Sequence, residues 1–144
     1  MPSFTNQIAD LEQVGPIVEI LVSPSSALRE ELVRQKKPVP VGRRALAMID
    51  TGPDATVLAP GVVRALGIHP IGVAQMNTPS TTSAVEVQVY EVSLTFPDGV
   101  DVERATCVEA PLGEQPIQCL IGRDILQHAV LVYIGYANQF TLSF

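Results

Sequence analysis

Apolar and polar positions follow no period over the first thirteen residues, so 1–13 reads as a loose leader ahead of one domain spanning 14–144. Pro16 to Val22 then reads as a strand, bounded by Ser23-Pro24-Ser25-Ser26. Within an insertion over 24–42, Ala27 to Gln35 sets Leu28, Leu32 and Val33 on one helical face, which predicts a short helix ending before Pro38. Arg44 to Ile49 is an apolar run that stops abruptly at Asp50-Thr51-Gly52-Pro53-Asp54, so a buried strand delivers a carboxylate into a Gly-Pro turn. Ala59 to Gly67, with Pro60 near its start and Gly67 at its end, predicts a two-turn helix.

The pattern from Ile71 onward predicts a strand to Met76, a turn over Asn77 to Ser83, and a long strand with an internal change of phase. Val85, Val87 and Val89 occupy odd positions, whereas Tyr90, Val92, Leu94 and Phe96 occupy even ones. A shift by one residue moves the apolar side chains to the opposite face, as a bulge or strong twist does where a projecting arm joins a sheet. Pro97-Asp98-Gly99 is a hairpin signal, and Val100 to Val108 continues as the partner strand. Ile117 to Ile121 predicts a strand, Gly122-Arg123-Asp124 opens a helix of about two turns, and Val130 to Ile134 and Phe140 to Phe144 are the last two strands. Many short strands with one or two short helices give an all-β class, a small barrel or sandwich.

Composition narrows the function classes. The 144 residues suit one domain, and 47% apolar against 17% charged residues marks a foldable chain. A net charge of −6 argues against a nucleic-acid or anionic-membrane partner. Five of the nine basic residues do cluster (Arg34, Lys36, Lys37, Arg43, Arg44), but Pro38, Pro40 and Gly42 interrupt them and no aromatic residue is interleaved, so the cluster reads as a solvated loop. Cys107 and Cys119 stand apart, and neither they nor His69 and His128 have metal-ligand spacing, so no metal and no disulfide framework are expected. No signal-peptide pattern and no membrane-length apolar run are present, which makes cytoplasmic the default location.

The sharpest chemical feature is Asp50-Thr51-Gly52. Roughly three in a hundred chains of this length contain such a tripeptide by chance, so its context decides. An apolar strand precedes it, Thr56-Val57-Leu58 follows it, and Cys119-Leu120-Ile121-Gly122-Arg123-Asp124-Ile125-Leu126 comes about seventy residues later, ahead of two short strands. This arrangement resembles the retropepsin family of aspartic proteases over approximately residues 14–144. It is similar above all to bacterial members, in which a segment such as Thr78-Pro79-Ser80-Thr81 also occurs in mid-chain.

The resemblance implies a closed β-barrel of the acid-protease fold, a single lobe, and an aspartic endopeptidase acting on peptide or protein substrates without a cofactor. Catalysis would fall to Asp50, Thr51 and Gly52, with Thr51 bonding across a two-fold axis and Gly52 allowing backbone N–H groups close to the carboxylate. Asp54, Thr78, Pro79, Ser80 and Thr81 would contact substrate, and Asp54 and Arg123 would pair as a brace. Residues 72–90 would form the flap, and Phe140 to Phe144 would interleave with its counterpart in a dimer sheet. The chemistry of the residues agrees. General-base and general-acid work on a peptide needs two carboxylates sharing a proton, and one Asp-Thr-Gly per chain therefore requires a homodimer.

Two features depart from the retroviral pattern. Ala74 to Ala84 contains no Gly, and Pro53 follows Asp-Thr-Gly where a small residue is usual. They motivate an alternative, a catalytically weak or inactive retropepsin-like dimerisation or peptide-binding module. A third reading is a polyanion-binding β-domain built on the Arg34 to Arg44 cluster.

Overall fold

A computed structural model of the chain describes residues 1–77 and 83–144. Six strands close into a barrel: β2 (Ile17–Pro24), β3 (Arg43–Ile49), β8 (Cys119–Ile121), β4 (Thr56–Leu58), β7 (Val100–Glu109) and β6 (Val85–Phe96), in that order, with β6 pairing back onto β2. Closure leaves the body of the barrel without free edges. One hairpin arm projects from it, where β5 (Gly72–Met76) pairs antiparallel with the first half of β6. A separate antiparallel sheet has the order β1 (Ser3–Gln7), β10 (Gln139–Ser143), β9 (Val130–Ile134).

Alternation explains the barrel interior. Val18, Ile20 and Val22 of β2, Ala45, Ala47 and Ile49 of β3, and Tyr90, Val92, Leu94 and Phe96 of β6 all point into one core. Helix α3 (Pro60–Leu66) adds Val62, Val63 and Leu66 to it, and α4 (Arg123–Leu126) adds Ile125. The phase change along β6 separates two cores. Val87, on the other face, packs with Val57, Val108 and Ala110 in a second cluster, to which Val89, Ala74 and Met76 of the arm are added. The bulge itself lies further along, between Val92 and Leu94 opposite β7.

The sequence expectations need correction in two places. Residues 1–13 are not a loose leader: β1 is hydrogen-bonded to β10, and α1 (Leu11–Val14) buries Leu11. Phe4 is the anchor, stacked on Phe96 at 5.4 Å and edge-on to Phe140 at 6.2 Å. The terminal strand, placed by the resemblance in an interleaved dimer sheet, instead has both edges occupied within its own chain, by β1 and β9. In the insertion, α2 (Ser26–Arg34) forms where the apolar stripe predicts, capped by the Ser25 hydroxyl, yet buries none of its residues fully, and Val33 stays exposed. None of the helices among the described residues is long and apolar enough to cross a membrane.

Candidate active site

Two strand ends lie side by side and create the site. β3 and β8 run parallel, with Ile49 opposite Ile121, and each ends in a polar loop. The first residue beyond β3 is Asp50, whose N–H donates to the Ile121 carbonyl at 3.0 Å, while the N–H of Ile49 donates to Pro16 O. The Asp50 backbone is thereby an extension of the barrel wall, while its carboxylate stands at the rim, half-buried. The Gly52 N–H turns back and donates to Asp50 Oδ1 at 2.9 Å. A Cβ on Gly52 would stand 3.1 Å from that oxygen, so glycine is what permits the close approach of backbone to carboxylate.

The loop after β8 holds the loop after β3. Arg123 N–H donates to Pro53 O at 2.9 Å, and its Nε reaches the same oxygen at 3.5 Å. Asp124 accepts from the Thr56 N–H on one carboxylate oxygen at 3.0 Å and from the Thr56 hydroxyl on the other at 2.8 Å. The same hydroxyl accepts from Gly122 N–H at 3.1 Å. Thr56 is fully buried while Asp124 is half-buried, so the Thr56 side of this network is shielded from water. A charged acceptor makes each of its bonds stronger than a neutral pair.

Arg123 and Asp54, expected to brace the loop as an ion pair, do not pair here. The ion pairs among the described residues are Glu31–Arg34, Glu19–Arg44 and Glu91–Arg104. The reason is local: the Arg123 guanidinium is engaged with a loop carbonyl, while Asp54 lies exposed on the turn. Asp124 and Thr56 tie the loop to α4 instead, and neither was singled out from the sequence. A signal for them existed. Thr56 is a lone hydroxyl residue in the apolar run Ala55 to Leu58, and Asp124 falls in the first turn of a helix, where a side-chain oxygen finds free N–H groups.

Thr51 and Gly52 are exposed beside Asp50. Thr78, Pro79, Ser80 and Thr81 lie outside the described residues. The strands before and after them in sequence, β5 and β6, pair antiparallel, with Gly72 opposite Val89 and Met76 opposite Val85. A cavity of about 820 Å³ lies elsewhere, between α2, the segment 68–71 and Glu91. Asp50 is not part of it, as fits a carboxylate standing on an open rim rather than in an enclosed pocket. Among the described residues no three His, Cys, Asp or Glu side chains come together as a metal site.

Comparison with known proteins agrees with this geometry. No curated protein matches the chain significantly. Among solved structures, a retropepsin-like aspartic protease from Rickettsia conorii superposes with a TM-score of 0.53 at 13% identity, over 100% of this chain and 95% of the other. A foamy viral protease-reverse transcriptase, solved with an RNA/DNA hybrid, gives 0.52 at 16% identity over 83% of this chain and 13% of the viral one. These similarities establish a shared fold. A family model described as aspartyl protease matches residues 40–125, which include both the Asp50 loop and the Arg123-Asp124 turn, and on that match the chain belongs to the aspartyl protease family, with the fold of its retropepsin-like members.

Proposed function

We propose that the protein is a homodimeric aspartic endopeptidase in which Asp50 and Asp50 of the partner subunit activate a water for attack on a peptide bond. The observation that carries this reading is Asp50 itself, a carboxylate on a rigid strand end, open on the side away from the barrel and fixed by Gly52 and by the Arg123-Asp124 turn. Two carboxylates brought together cannot both ionise without mutual repulsion, so one proton is shared and the pair titrates as a unit. Aspartic proteases are the reference case of this behaviour. One carboxylate then takes a proton from water while the other gives one to the substrate carbonyl, and no covalent intermediate or metal is required.

Thr51 is proposed to bond across the two-fold axis and Gly52 to keep the loop compact. Asp54 and the segment Thr78 to Thr81 are proposed as substrate contacts, the latter from the tip of the β5–β6 arm, which would lie over an extended peptide and exclude water. The test is cleavage of a peptide library at acid to mildly acidic pH by the wild type and by Asp50→Asn. Loss of about 10²–10⁴-fold in rate, with mass and fold unchanged, is the expected result. Equal cleavage by the Asn variant removes Asp50 from catalysis. Peptide binding without cleavage by the wild type, together with no rise in melting temperature on adding a statine inhibitor, identifies an inactive peptide-binding module instead.

A further inference from the structure

Helix α2 lines a groove and adds no fully buried residue to the core. Its apolar stripe carries Leu28 and Leu32, both half-buried, into the lining of the cavity of about 820 Å³. Ile68, Pro70 and Ile71, from the segment between α3 and β5, share that lining, together with Ser25 and Glu91. The barrel closes without the insertion that contains α2, since β2 and β3 pair directly with each other on either side of it, Val22 opposite Arg43. A volume of this order suits a small organic molecule, and a mainly apolar lining with a few polar groups is what sites for such molecules share.

The charges around the groove differ in what they are free to bind. Glu31 accepts from Arg34 Nε at 3.0 Å and Glu91 from Arg104 at 2.9 Å, so both carboxylates already have their cations. Lys37 also lines the groove, and it takes part in none of the ion pairs among the described residues. The end of α2 fixes its place. Lys36 adopts a φ of 56°, the left-handed turn that glycine commonly supplies after a helix, and the next N–H, that of Lys37, closes onto Leu32 O at 2.9 Å. The backbone of Lys37 is thereby tied to a residue of the apolar wall, which leaves an ammonium group at the end of that wall. His69, in the segment opposite, adds a ring N–H donor to the lining.

We propose that this groove is a binding site for a small amphipathic monocarboxylate, its hydrocarbon part laid among Leu28, Leu32, Ile68 and Ile71 and its carboxylate bonded to Lys37. A cationic ligand would meet an ammonium group whose neighbouring carboxylates are already paired, and a neutral one would leave the Lys37 charge without a partner. Asp50 does not line the groove, but the root of the arm does, through both of its strands. Ile71 donates its N–H to Val89 O at 2.7 Å, the link that precedes the first pair of β5 with β6, and Glu91 lies two residues further along β6. An occupant therefore connects α2 with the arm root and restrains the opening of that link. The assignment stands independently of the protease reading.

The probe is decanoate, titrated into the isotope-labelled protein and followed through its backbone amide signals. Saturable shifts that include Leu28, Leu32, Ile68 and Ile71 are expected, with hydrogen exchange of the Ile71 amide slowed about three-fold or more at saturation. Decanol and decylammonium are expected to bind about five-fold or more weakly than decanoate. Leu32→Gln is expected to weaken decanoate about ten-fold through lost apolar contact. Lys37→Glu, a change on an exposed turn that leaves the fold intact, is expected to reverse the preference in favour of decylammonium. Shifts that do not saturate, or that centre on another part of the chain, overturn the site. Equal affinity for decanoate and decanol, or a Lys37→Glu variant that keeps the wild-type order of preference, overturns the carboxylate assignment. Tighter binding of a short peptide ending in leucine than of decanoate overturns the small-molecule assignment and makes the groove a receptor for chain termini.

Discussion

The Asp124 carboxylate grips Thr56 at two points, the hydroxyl at 2.8 Å and the backbone N–H at 3.0 Å, and through them it fixes the far end of the Asp50 loop. Thr56 is fully buried, so neither donor finds water when its acceptor is removed. Asp124→Ala is expected to cost about 2–4 kcal/mol, from two orphaned donors at about 1–3 kcal/mol each with partial relaxation. Thr56→Val keeps the shape but strands the Gly122 N–H, for about 1–3 kcal/mol. Urea denaturation of both variants measures this. Equal stability of Asp124→Ala and wild type would mean that the loop is held by other contacts.

Gly122 is required for space rather than for backbone freedom. Its φ is −90°, ordinary for any residue, but a Cβ there would lie 2.6 Å from the Ala55 carbonyl oxygen and 3.1 Å from that of Pro53. Both are backbone atoms of the Asp50 loop, so relief requires the loop to move. Gly122→Ala is expected to destabilise by about 1–3 kcal/mol and to reduce cleavage more than its stability loss explains. Gly61→Ala provides the contrast, because that helix position has nothing within 4 Å, and there the substitution is expected to stabilise by about 0.5–1 kcal/mol. Thermal unfolding of the pair separates steric from conformational effects.

Five of the six barrel strands were legible because each carries several apolar residues in period two, whereas β4, three residues that are all buried, shows no such period; the Asp50 loop was legible because its tripeptide follows one of those strands. β1 was not, since Phe4 is the only fully buried residue among Ser3–Gln7 and one anchor makes no period. Its partner is also remote: Thr5 pairs with Thr141, a separation that no local pattern encodes. The order β1-β10-β9 hid for the same reason, and the resemblance alone placed the last strand, in a dimer sheet. The brace was misplaced by one residue on one side and two on the other. Resemblance directs attention to the Arg123–Asp54 charges, whereas a buried hydroxyl beside a helix start has a stronger physical claim on the carboxylate of Asp124.

Burial pushes the Cys107 thiol well above its ordinary range and raises Cys119 to about 12, with the Asp124 carboxylate adding to both. The folded state therefore keeps both protons where an unfolded thiol of pKa about 8.5 loses its own. Because these folded values are raised, their contribution to stability is complete below about pH 8.5 and declines as pH climbs toward 12. Two results are expected: alkylation by iodoacetamide at pH 8.5 about a hundred-fold or more slower in the native protein than in urea, and a denaturation midpoint that falls above pH 9. Cys107→Ala with Cys119→Ala flattens that alkaline decline if thiol burial is its cause.

Acid stability has a different source. A hydrogen bond from Arg104 at 2.9 Å, aided by Ser25, holds the Glu91 carboxyl below the usual range despite partial burial. A lowered folded value means that the pair's contribution is present above the unfolded pKa of about 4.3 and is lost only as pH falls through the lower folded value. The pair therefore remains intact across the mildly acidic range in which a shared-proton dyad is assayed. The Arg104 side chain is 68% exposed and that of Glu91 19%, so solvent screening limits the effect, and Arg104→Ala is expected to lower stability only slightly at pH 7. At pH 3 the difference between variant and wild type should shrink, which paired urea titrations at the two pH values measure. Arg34→Ala, which breaks the solvent-exposed Glu31 pair on α2, is expected to leave stability unchanged at both. A gap for Arg104→Ala that is as wide at pH 3 as at pH 7 would assign its effect to lost packing of the arginine stem on β7 and not to the charge it presents to Glu91.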